Sequence, residues 1–128
     1  MYQPKLDKDI RCPLEYGFEV FGGKWKSRIL CVLNKKGVLR YGEIRREIAN
    51  ITDPVLTSAL KELMNAHLVF RQSFDEIPPR VEYSLTTQGQ SVIPILQSIC
   101  RWAGAVYQEP ATKNLSQCQQ CNYRTTTK

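Results

Sequence analysis

Apolar residues recur at helical spacing over most of this chain and give way once to β-branched and aromatic segments. Behind Pro13, which suits a first helical position, Leu14, Phe18 and Phe21 share a helical stripe that Gly22-Gly23 closes. Trp25, Ile29, Leu30 and Leu33 mark a second helix, stopped by Lys35-Lys36-Gly37. Val38, Leu39 and Arg40 read as a short extended link into a third helix over 41–48, barely two turns long, with Ile44 and Ile48 as its buried stripe. After Ala49, Asn50 and Ile51, either Thr52 or Asp53 can cap a fourth helix, with Pro54 in its first turn and Leu56, Leu60 and Leu63 facing inward.

Segments 69–75 and 81–86 have strand composition, and the Pro-Pro pair within 76–80 bars regular pairing between them, so a hairpin with a stiff tip is expected. From Thr87 onward Val92, Leu96, Ile99, Ala103 and Val106 keep helical register, while Ile93, Ile95, Cys100 and Trp102 widen the apolar surface beyond one stripe. Such a helix needs two packing partners. Past Pro110 the chain is rich in Gln, Thr and Asn and has no core of its own. The expected organisation is a flexible arm over 1–9, one domain over 10–107 and a polar Cys-containing tail over 108–128.

The order helix, helix, short helix, turn, helix, hairpin, long helix describes a mainly α fold with a small β-hairpin, a winged helix-turn-helix. In that arrangement the fourth helix enters a DNA major groove. Its inward leucines leave Asp53, Pro54, Thr57, Ser58 and Lys61 on the outer side, with Thr52 at its mouth. The helix starting near Tyr41 offers free amides to phosphate, and Arg40 adds a full charge beside them. Arg71, Pro79 and Arg80 lie in or near the hairpin tip, where a Pro-stiffened loop ending in Arg suits a minor groove. The competing reading makes the leucines a plain core stripe and the arginines a solvated face.

Composition is consistent with a nucleic-acid partner without selecting it. The 128 residues fit one domain, and 18 Lys+Arg against 12 Asp+Glu give a net charge of +6, which favours nucleic acid or a lipid headgroup. The longest apolar run, residues 29–33, is far short of a bilayer span, so no membrane association and a cytoplasmic location are expected. The five cysteines are odd in number and dispersed, which fits reduced thiols rather than a disulfide framework.

Specific motifs carry the reading further. The segments CPLEYGFEVFGGKWKSRILCVL (12–33), RYGEIRREI, LTSALKELMNAHLV and PPRVEYSLTTQG (78–89) together resemble the HxlR-type family of bacterial winged-helix regulators over about residues 10–103. The resemblance implies a homodimer on palindromic double-stranded DNA that represses or activates nearby promoters. It further implies recognition residues within 52–61, wing residues within 77–80, and a subunit contact through the terminal helices. The residues expected at that contact are Leu14, Phe18, Val92, Leu96, Ile99, Ala103 and Val106. Past Ala103 the tail matches no family pattern.

Cys12 precedes Pro13 at a helix start, with Lys8 and Arg11 near it, a setting that promotes thiolate chemistry. Some HxlR-type regulators use the equivalent cysteine to sense oxidants or electrophiles, so the resemblance makes Cys12 the candidate thiol sensor. The other reading is an inert apolar cap. Cys31 and Cys100 fall on apolar helical faces and are expected in the core. Cys118 and Cys121 form a lone CxxC, two ligands where structural zinc takes four, and no metal or other cofactor is expected. His67, the single histidine, is expected to cap or pack at a helix end. No triad, phosphate loop or carboxylate pair supports an enzyme. A small-molecule effector between the dimer helices and the core stays open, its chemistry unspecified. The alternative function is a winged-helix protein-interaction module without DNA binding, since fold does not fix function and Asp53 repels phosphate.

Overall fold

The computed structural model describes residues 9–107; the expected arm, apart from Asp9, and the tail with Cys118 and Cys121 lie outside the described residues. Five helices and three strands follow in the order α1 (Pro13–Phe21), α2 (Lys24–Lys36), β1 (Leu39–Arg40), α3 (Tyr41–Ile48), α4 (Asp53–Asn65), β2 (Val69–Phe74), β3 (Arg80–Leu85) and α5 (Thr87–Val106). The sheet is antiparallel in the order β1-β3-β2. Its third strand is the segment expected only as a link, because Leu39 pairs with Tyr83 and Arg40 with Glu82. Two residues are too short to show a period.

One core joins these elements. It takes Ile29, Leu30, Val32 and Leu33 from α2, Ile44 and Ile48 from α3, Leu56, Ala59, Leu60 and Leu63 from α4, and Val92, Ile93 and Leu96 from α5. Leu39, Ile51, Leu68, Val69 and Tyr83 close it from the links and strands. The turn between α3 and α4 is tight enough to place Ala49 (φ 61°) and Asn50 (φ 57°) in the left-handed region.

The far end of α4 is built to deliver the chain into the hairpin. Leu68 N donates to the Leu63 carbonyl at 3.0 Å and His67 N to that of Met64 at 3.0 Å, with His67 at φ 64°, a Schellman cap in which histidine occupies the usual glycine position. The histidine is therefore a cap residue, as its position in the sequence implies. Thr86 then ties this end to α5. Its backbone N donates to the Leu68 carbonyl (3.0 Å), its hydroxyl donates to the His67 carbonyl (2.6 Å), and Gly89 N donates to that hydroxyl oxygen (2.9 Å).

Gly89 is buried against the Leu68 carbonyl, and a Cβ there would overlap that oxygen. Gly89→Ala is expected to push α5 off the α4–β2 junction and destabilise the fold by about 2 kcal/mol. A thermal melt checks this, and an unchanged midpoint would show that the junction yields freely.

Candidate nucleic-acid interface

The orientation of α4 follows from its burial. With Leu56, Ala59, Leu60 and Leu63 in the core, Asp53, Pro54, Thr57, Ser58 and Lys61 stand exposed on the opposite side. Thr52, not Asp53, is the cap: its hydroxyl oxygen accepts from Val55 N at 3.4 Å. Asp53, one position later, is a bridge to α3. The Tyr41 hydroxyl donates to Asp53 Oδ1 at 3.0 Å and lies 3.3 Å from both the Asp53 carbonyl and Thr57 Oγ1. Arg45 Nε reaches the same Oδ1 at 3.0 Å. Tyr41, expected on the DNA surface, is thus half-buried and occupied in holding the two helices of the motif together.

Sequence reasoning missed Arg45. It lies four residues after Tyr41, on the same side of α3, and that spacing was the available signal. Arg40 is exposed, with its backbone N donating to Glu43 Oε1 at 2.8 Å.

The hairpin tip corrects a second expectation. Arg80 does not project from the loop as a free cation: it is the first residue of β3, paired with Phe74 of β2. Its guanidinium bonds Glu82 Oε2 at 2.8 Å and Glu76 Oε2 at 2.9 Å and stacks 3.8 Å from the Phe74 ring centroid. The side chain is only 26% exposed. Two carboxylates and an aromatic face outcompete water for a cation at this position. Arg71 and Pro79 are exposed, Arg71 donating to Ser73 Oγ at 3.2 Å, and Ile77, joined to Pro78 by a cis peptide bond, stands fully in solvent.

The terminal helices divide the expected subunit-contact residues. Leu14 and Phe18 of α1 and Ile99 and Val106 of α5 are exposed, and Ala103 is half-buried. Val92 and Leu96 are not available for such a contact, because both are packed into the chain's own core. Cys12 is exposed at the N-cap of α1, where its carbonyl accepts from Glu15 N (3.1 Å) and Tyr16 N (3.2 Å) and its side chain makes no cap bond. Arg11 directs Nε to Asp9 Oδ1 at 3.0 Å. Cys31 and Cys100, expected in the core, are half-buried along an apolar groove of about 440 Å³ between α1, α2 and α5. Among the described residues no cluster of three or more His, Cys, Asp or Glu can hold a metal ion, and no helix is long and apolar enough to cross a membrane.

Residues 20–111 match the model of the HxlR-like helix-turn-helix family. The chain belongs to that family. Its relatives include an uncharacterized HTH-type transcriptional regulator of Methanothermobacter thermautotrophicus, 48% identical over 101 residues that make up 79% of this chain and 76% of that protein. Among solved structures, the redox regulator HypR in its oxidized form superposes with a TM-score of 0.70 at 35% identity, covering 77% of this chain and all of that one (100%). Diamide-treated YodB from Bacillus subtilis gives a TM-score of 0.66 at 34% identity, covering 79% of this chain and 99% of YodB. The chain is accordingly an HTH-type transcriptional regulator with a winged-helix fold.

Because Arg80 is held within the hairpin, its removal is expected to loosen the wing. Arg80→Ala should cost about 1 kcal/mol, after discounting for partial exposure, and should lower amide protection across 71–85 in hydrogen exchange. A solvated wing-tip cation would leave both unchanged.

Proposed function

We propose that this HxlR-like protein is a cytoplasmic homodimer that binds palindromic double-stranded DNA and regulates transcription from nearby promoters. The observation that carries this reading is the outward face of α4, where Pro54, Thr57, Ser58 and Lys61 form a small, polar, exposed surface held rigidly by the leucines beneath. Small residues let a helix settle close to base edges, and the cap at Thr52 leaves the helix N-terminus toward phosphate. Arg40 and Arg71 supply exposed cations on either side in sequence, and Pro79 stiffens the wing loop.

A second copy is supported by the terminal helices. Helix α1 has only nine residues and buries none, while Leu14, Tyr16 and Phe18 are exposed. A free helix of that length is marginal in water, and apolar residues exposed on two neighbouring helices favour self-association. Two copies related by a twofold axis would set their α4 helices on successive major grooves, hence a palindromic operator. The groove between α1, α2 and α5 has room for an apolar effector.

Protein–DNA association of this kind falls steeply with salt. Footprinting on DNA upstream of the chain's own gene is expected to reveal two half-sites about one helical turn apart. Lys61→Ala should weaken binding to that site and reduce the salt slope by roughly one. Equal affinity for the footprinted and a scrambled duplex at moderate salt would refute sequence-specific regulation, and no duplex binding at all would leave the protein-interaction reading.

Exposure of Cys12 at a helix start supports a thiol response, and two of the similar structures are of a redox regulator and of a diamide-treated protein. Diamide is expected to release wild-type protein from the footprinted duplex and to leave Cys12→Ser bound. Equal release of both would remove Cys12 from the mechanism.

A further inference from the structure

The cluster at the mouth of α4 contains an anion where a DNA-binding surface ordinarily avoids one. We infer that Asp53 is the selectivity element of this surface: its carboxylate discourages contact with arbitrary sequence and is compensated best where the duplex presents a cytosine amino group. The inference rests on the proposed DNA binding and adds what that surface reads.

Three observations carry it. The Tyr41 hydroxyl donates to Oδ1 at 3.0 Å, and Arg45 Nε forms its ion pair with the same oxygen at 3.0 Å. Among the described residues Oδ2 accepts no hydrogen bond, and the side chain is 62% exposed. The hydroxyl bond and the ion pair both engage Oδ1 and leave Oδ2 available on the exposed side of α4 that carries Pro54, Thr57 and Ser58. Third, the carboxylate pairs with Arg45, the α3 cation beside it, so Arg45 brings no uncompensated charge to phosphate.

Binding to arbitrary duplex depends almost wholly on phosphate contacts, which a fixed anion weakens. A cytosine N4 amine in the major groove is a donor suited to a carboxylate oxygen; guanine N7 and O6 and thymine O4 are acceptors that repel it, and the adenine N6 amine lies beside the N7 acceptor, so cytosine is favoured. As a structural ion pair the cluster contributes little, since exposed pairs of this kind are weak. Its main consequence is discrimination.

The test uses the full chain and two probes: the duplex that wild-type protein selects from a randomised pool, and a scrambled duplex of the same composition. Asp53→Asn is expected to raise affinity for the scrambled duplex by about tenfold, to leave the selected one unchanged or weaker, and on reselection to lose a cytosine at one position per half-site. An unchanged ratio between the two probes, or a parallel fall on both, overturns the inference while leaving DNA binding intact. A wild-type protein that selects no sequence overturns the underlying reading instead. Should Asp53→Asn not fold by thermal melt, Tyr41→Phe serves in its place. That variant keeps the charge but removes the directed hydrogen bond to Oδ1, leaving only the ion pair with Arg45, so selected-site affinity should drop severalfold with scrambled affinity unchanged; no change in either overturns the inference.

Discussion

The outward face of α4 exists because its inward face is fixed. Leu56, Leu60 and Leu63 are at most 2% exposed, and burial of each contributes about 2 kcal/mol. Rotating the helix by one residue position would bring this stripe toward water, a loss of roughly 6 kcal/mol set against the 5–15 kcal/mol that holds a domain of this kind together. The Arg45–Asp53 ion pair at its N-terminal end, exposed and worth about 1 kcal/mol at most, cannot set its orientation. Geometry at the surface is thus decided in the core, and the polar residues Thr57, Ser58 and Lys61 inherit their position from leucines that never meet a ligand.

Electrostatics at the same surface run against a simple reading of the net charge. The chain carries +6, yet Arg45 is paired with Asp53 and Arg80 with Glu76 and Glu82, so two of the arginines at or beside the expected contact elements are ion-paired within the molecule. A net positive charge steers a protein toward any polyanion. Carboxylates interleaved with the arginines limit how much of that attraction is realised without correct register. The balance fits a surface that discriminates more than it adheres.

The helices were legible because apolar stripes coincide with stop or start signals: Pro13 with Gly22-Gly23 for α1, Gly37 for α2, Thr52 with Pro54 for α4. The exposed set on α4 followed from that periodicity alone. What stayed hidden is non-local. The strand at Leu39–Arg40 is defined only by its pairing with β3, and the partners of Arg80 come from three separate positions around the hairpin, so a cation that looks free in sequence is enclosed in the fold. Arg45 and Tyr41 converge on Asp53 from a different helix, a contact that depends on the left-handed turn at Ala49 and Asn50. Val92 and Leu96 share a helical register with Ile99 and Val106, and register cannot tell a residue facing its own core from one facing outward.

That last ambiguity has a physical origin in the length of α5. Its buried positions, Gly89, Val92, Ile93 and Leu96, all lie in the first ten of its 20 residues. Beyond Leu96, Ile99, Trp102 and Val106 continue the apolar pattern, and none of the described residues fully covers them. A sequence free to evolve as a monomer would lose little by placing polar residues there, since exposed positions contribute little to a monomer's fold. Together with α1, which buries no residue, they form an apolar surface that a second copy would cover. The first half of α5 anchors the wing through Thr86 and Gly89, so whatever engages its second half also bears on the hairpin's base. In the proposed homodimer, subunit association and wing placement would be linked through this one helix.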